Sequence, residues 1–233
     1  MTCLAKVKAT AVLVGIVLVS GGVPRAVRAA EAAQDGAAAV TAAAQQKYGG
    51  QFTRDIRATP VVSPLLAGGF PGTAFYNVMV HTFAMGIERR SNYCAAYRDG
   101  KVVWAYENRP SKPGSPPLSE VAEFCKDLKA ADPEAALKLV RTALEVARLT
   151  VIEDPAKAPK VGNKEIAIEA PKVAAMKDEA SGEEISRVTV FVVRDPELEA
   201  VSRFEFDVLK GGGLQQNFHG IREQHVGATR ARL

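Results

Sequence analysis

Aromatic residues, histidines and cysteines are all scarce in this chain of 233 residues, which holds one Trp, five Tyr, nine Phe, three His and three Cys. With so few histidines, any Ser/His/acid triad has to recruit His81, His219 or His225, and no Gly-x-Ser-x-Gly elbow is present to supply its nucleophile. Beyond the first 25 residues no run of 20 apolar residues occurs, which excludes an internal membrane-spanning helix. An excess of charge is also missing. The formal net charge of +4 belongs entirely to Lys6, Lys8, Arg25 and Arg28, leaving 26 basic and 26 acidic residues from position 31 onward. A chain so balanced has no electrostatic footprint for a phosphate backbone, which argues against nucleic-acid binding. What is present, 47% hydrophobic residues with 24% charge of mixed sign, excludes a disordered or fibrous protein.

Residues 1–29 have the layout of a signal peptide. Lys6 and Lys8 form a positive start, residues 9–19 an apolar stretch, and Gly21-Gly22-Val23-Pro24 breaks it. Small residues then place cleavage after Ala29, with Val27 three positions from the cut. The apolar stretch is too short to cross ~30 Å of hydrocarbon comfortably, so no membrane span is expected after leader removal. Cys3 precedes the apolar stretch and cannot serve as a lipoprotein cysteine. The expected location is therefore secreted or periplasmic. In such an oxidising compartment Cys94 and Cys125 form an even pair, and a disulfide is expected between them. Its loop of roughly 30 residues would be worth ~3.5 kcal/mol in the chain-entropy model.

Residues 30–46 are mostly alanine with no large apolar side chain, which predicts a flexible arm or loose helix. Residues 47–228 read as one α+β domain, and 229–233 as a disordered tail. A β-prone run spans 75–83. The next segment is the best hairpin in the chain: strands at 92–97 and 101–106 flank Asp99-Gly100, whose residues suit a type I′ turn. In that register Arg98 faces Lys101, Ala95 faces Trp104 and Tyr93 faces Tyr106. After the proline-rich 107–117, Ser119 is placed to cap one helix whose stripe is Val121, Phe124, Cys125 and Leu128. Asp132 caps a second, with Pro133 at its first position. Short strands are expected at 165–169, 187–193, 201–209 and 214–226. The predicted architecture is an antiparallel sheet of about five or six strands with two helices packed on one face.

Four groups of residues invite a chemical reading. His219, Glu223 and His225 fall on one face of a strand, and imidazole with carboxylate suits zinc, making them metal candidates for an assisted hydrolysis. The two histidines lie ~20 Å apart along an extended strand, which favours solvated edge residues unless the chain bends. Lys210-Gly211-Gly212-Gly213 follows a strand and leads to another, so it reads as a hairpin loop rather than a phosphate cradle. Glu205 and Asp207 alternate with Arg203 on what should be a wet face, which is a poor setting for acid/base work. Tyr93, Tyr97, Trp104 and Tyr106 place four of the fifteen aromatics within fourteen residues, either as core or as an exposed binding face. With no cofactor loop and no cofactor expected, the leading expectation is an exported, non-catalytic binding module. Its partner would be a protein, a glycan or a small apolar ligand. The alternatives are the metal-assisted hydrolase and a structural cell-envelope component tethered through the Ala-rich arm.

Overall fold

A computed structural model describes residues 25–107, 118–161, 166–179, 181–195, 200–215 and 220–227, with side chains from Gly36 onward. The fold is α+β, but its strands form two antiparallel sheets instead of the single sheet expected. The first sheet runs in chain order through β1 (Thr53–Val61), β2 (Ala74–Ala84), β3 (Ile87–Arg98) and β4 (Lys101–Tyr106). The second is ordered β5 (Thr150–Val151), β7 (Glu184–Asp195), β8 (Ala200–Leu209), β9 (Ile221–Gly227), and β6 (Lys172–Lys177) also pairs with β7.

The division has a physical cause in the helices between the two strand sets. Helix α4 (Pro133–Val146) buries Ala136, Leu139, Val140, Ala143, Leu144 and Val146. An arc that wide cannot be satisfied by one flat sheet. It packs on β5, β6 and β7 of the second sheet and also touches α2 (Pro64–Gly69) and α3 (Ser119–Phe124). Helix α3 in turn rests on β4 of the first sheet. Phe75, Cys94, Ala96 and Ala105 from one sheet and Val188, Val190, Phe204 and Phe206 from the other thus share one core. Burying a side chain such as Phe204 or Phe206 stabilises by ~1.5–3 kcal/mol each.

Local signals set the ends of these elements. Asp132 does cap α4, its carboxylate accepting the Ala135 N–H at 2.8 Å with Pro133 behind it. Ser119 does not occupy the cap position of α3, which Leu118 takes, and that helix closes at Phe124. At the Asp99-Gly100 turn both residues have positive φ, 51° and 75°. This is the type I′ geometry that matches strand twist. The hairpin register is as expected from Arg98↔Lys101 to Ala95↔Trp104, after which a bulge opposes Tyr106 to Cys94 instead of Tyr93. No strand forms at 166–171; β6 begins at Lys172 instead.

The Ala-rich segment expected as a flexible arm or loose helix lies in the helix α1 (Arg25–Tyr48). Val40 and Ala44 of this helix are fully buried against Ile56, Tyr76, Val78, Val80, Tyr93 and Ala95. Its last turn is pinned as well: Lys47 ion-pairs with Glu107, and the Tyr48 hydroxyl donates to Glu107 at 3.0 Å. Alanine, poor at burying area, is well suited to a helix lying close to a sheet. The first sheet is therefore covered on both faces, by α1 on one side and by the shared core on the other.

Candidate ligand-binding cleft

The aromatic face is closed. Tyr93 is 6% exposed and stacks on Tyr48 of α1 with centroids 4.6 Å apart and planes within 5°. Trp104 meets both rings edge-on, at 5.2 and 6.5 Å, and Lys47 Nζ lies 5.0 Å from the Trp104 ring centre. Tyr97 packs against the same cluster. Tyr106 does not: the bulge turns it into the shared core, where burial pushes its hydroxyl up to about 12. Nearby Glu120 and Glu223 raise it further, and Arg194 opposes them. Three of the four residues singled out as a binding face, Tyr93, Tyr97 and Trp104, thus form the seat of α1.

Cys94 and Cys125 are fully buried in the shared core, where the structure holds them as free thiols rather than the expected disulfide. Burial pushes each thiol up to about 12. In that apolar setting they act as small hydrophobes, so packing accounts for both positions. His219 lies outside the described residues, and His225 is exposed at the edge of β9. The Glu223 carboxylate accepts from Ser202 Oγ at 3.0 Å and from Arg194 at 2.5 Å. His81 is half-buried with its Nε2 2.8 Å from Glu88. Among the described residues no group of three or more His, Cys, Asp or Glu could hold a metal ion.

Asp207 reverses an expectation. Read as part of a wet face, its side chain is 1% exposed. Arg187 donates to both its oxygens, at 2.8 and 3.3 Å, and Arg222 donates at 3.0 Å. Arg222 also reaches Glu205 at 3.0 Å, which Arg203 approaches at 2.5 Å. Each carboxylate is held by two guanidinium groups, an arrangement that ties β7, β8 and β9 together and leaves no acid/base pair.

A hollow appears where sequence patterning gave no signal. The Gly211–Gly213 loop folds back on the segment before α4: Ala130 N–H donates to Gly212 O at 2.8 Å, and Gly211 N–H donates to Ala130 O at 2.8 Å. Just past the loop, Leu214 forms an antiparallel bridge with Val208. Beside the loop a cleft of about 470 Å³ opens between the start of α4, strand β6 and the ends of β7 and β8. Its walls are Ala130, Ala131, Pro133, Ala175, Met176, Ile185 and Leu209. This volume lies within the range of about 300–1,000 Å³ usual for small-molecule sites, and the predominantly apolar lining is typical of them too.

Charge is confined to the cleft's rim. Asp132 is engaged in capping α4. Glu184 accepts from Lys210, which holds its carboxyl below the usual range, with Lys177 adding to the effect. Lys177 stands opposite Glu184 in the β6–β7 ladder and acts on it electrostatically, but forms no ion pair among the described residues. A second hollow of about 420 Å³, lined by Glu183, Glu184, Leu209, Lys210, Gly211 and Gly212, adjoins the cleft. The one large flexible apolar residue in β6 is Met176, in a strand of small apolar residues with a lysine at each end. No protein-family model, curated protein or solved structure matches this chain.

Proposed function

We propose that this protein is an exported, non-catalytic binding module whose ligand is a small amphiphile with an apolar body and an anionic head. The observation that carries the reading is the cleft between α4 and β6–β8, with its apolar walls and with Lys177 and Lys210 among its lining residues. The apolar body would lie against Ile185, Met176 and Leu209, and the head would meet Lys177, with Lys210 beside it. Export rests on the leader-like layout of residues 1–29.

Titration with anilinonaphthalene sulfonate, an anionic aromatic probe, tests this. Ala175 is exposed at the cleft wall, so Ala175→Trp would fill the site without disturbing the core. Saturable fluorescence in the parent protein should fall at least tenfold in affinity in Ala175→Trp and about fivefold in Lys177→Gln, a loss of roughly 1 kcal/mol for one charged contact. Binding that is indifferent to both substitutions would overturn the assignment.

A further inference from the structure

The far end of the β2–β3 hairpin presents four large apolar side chains to solvent. Met85 is 97% exposed, Ile87 54%, Phe52 51% and Phe83 37%. They are adjacent in space, because Phe83 N–H donates to Phe52 O at 2.8 Å and Ala84 pairs with Ile87 across the turn. The turn itself is Met85-Gly86, with φ of 52° and 79°. A positive φ at this first turn position favours Asn, Asp or Gly, and the β3–β4 hairpin of the same chain uses Asp there. Folding alone thus gives no reason for a methionine at the most exposed point of the sheet.

Behind the apolar tip lies a collar of arginines. Arg89 and Arg90 sit three and four residues beyond Gly86 on β3, which places them ~10–13 Å back from the tip. Arg54 lies over the Phe83 ring at 4.0 Å, and Arg57 follows on β1. Two acids accompany them. Asp55 is paired with Arg57 at 2.5 Å, and Glu88 with Arg90 at 3.1 Å. Arg54 and Arg89 have no carboxylate within ion-pair distance among the described residues.

From these features we infer that the β2–β3 hairpin end is a membrane-docking tip whose partner is an anionic phospholipid surface. An interfacial element buries its apolar part ~5–10 Å into the boundary between headgroups and acyl chains. At that depth Met85, Ile87 and Phe83 are immersed, and Arg54 and Arg89 stand at the level of the phosphates. The order of apolar tip and then cationic collar matches the order of acyl chain and then phosphate in a bilayer. A protein partner would ask for no such layering along the strand direction. This docking does not depend on the cleft and would hold without it.

The full chain is co-sedimented with vesicles of phosphatidylcholine alone and of phosphatidylcholine with 30% phosphatidylglycerol. The apolar stretch at 9–19 can bind lipid in any variant, so the tip is read by difference and by a local probe. Met85→Asp gives the tip the same Asp-Gly turn as the β3–β4 hairpin and should melt no lower than the parent. It should bind the anionic vesicles at least tenfold more weakly. Arg54→Gln with Arg89→Gln should lose roughly 25-fold, at about fivefold per cation. Met85→Trp should add emission that shifts to the blue with anionic vesicles, over the constant signal of Trp104. Unchanged binding by Met85→Asp, or no blue shift in Met85→Trp, overturns the inference. A parent chain that ignores vesicles but self-associates through Met85 on sedimentation would assign the tip to a protein contact and overturn it equally.

Discussion

Replacing Asp207 by Asn isolates the difference between a wet strand face and a buried charge clamp. On a solvated face the substitution would move stability by no more than about 0.5 kcal/mol. In the structure the carboxylate is 1% exposed and takes three hydrogen bonds from Arg187 and Arg222. Asparagine keeps the volume but removes the charge, and its N–H₂ must point at a guanidinium. Breaking a fully buried pair costs ~3–5 kcal/mol. Here the side chains of Arg187 and Arg222 remain 30% and 36% exposed, so water partly compensates them. A loss of about 2–3 kcal/mol follows, worth ~5–10 °C in Tm for a domain of this size. Glu205→Gln should cost less, because that carboxylate is 19% exposed. Denaturant melts of the parent, Asp207→Asn and Arg222→Met would measure the coupling, which should exceed about 1 kcal/mol between positions 207 and 222. A shift below 1 °C for Asp207→Asn would refute the clamp.

Gly36→Ala should destabilise the protein by about 1–2 kcal/mol in the same melts, although alanine in an exposed helix normally gains ~1 kcal/mol over glycine. A Cβ there would stand 2.1 Å from the Tyr76 hydroxyl, and a stabilised variant would show that α1 does not lie on the sheet. Cys94 and Cys125, with thiols near 12, should be silent to a thiol reagent at pH 8 until denaturant exposes both. Two fast native thiols beyond Cys3, or none after denaturation, would contradict their burial as free thiols. Because folding raises these pKa values, stability is intact below about pH 8.5 and falls as pH climbs toward 12. The fall is ~1.4 kcal/mol per pH unit for each thiol, and a melt flat to pH 11 would exclude it.

Much of the local structure was legible because it depends on neighbours in sequence. The Asp99-Gly100 turn needs only residues with easy positive φ, and Asp132-Pro133 needs only a cap and a missing N–H. Phe204, Phe206 and Val208 alternate with polar residues, so their inward face could be read directly. What failed depended on distant partners. Asp207 alternates like a surface residue, and only Arg187 and Arg222, from two other strands, make its burial tolerable. The Ala-rich segment has little apolar area of its own, yet the cluster of Tyr93, Tyr97 and Trp104 gives it a seat. One clue to that cover was available, since β2 carries apolar residues on both faces. The single-sheet expectation came from joining two strand groups that the wide apolar arc of α4 holds apart. The cleft left no trace in patterning, because its walls come from four separate segments and are mostly small residues.

Calorimetric titration of the protein with dodecanoate, below its micelle concentration, tests the ligand-binding proposal most directly. The cleft between α4 and β6–β8 predicts one saturable site, a negative heat-capacity change from apolar burial, and loss of the heat in Ala175→Trp. Heat that never saturates, several equivalent sites, or an isotherm unchanged by Ala175→Trp would contradict it.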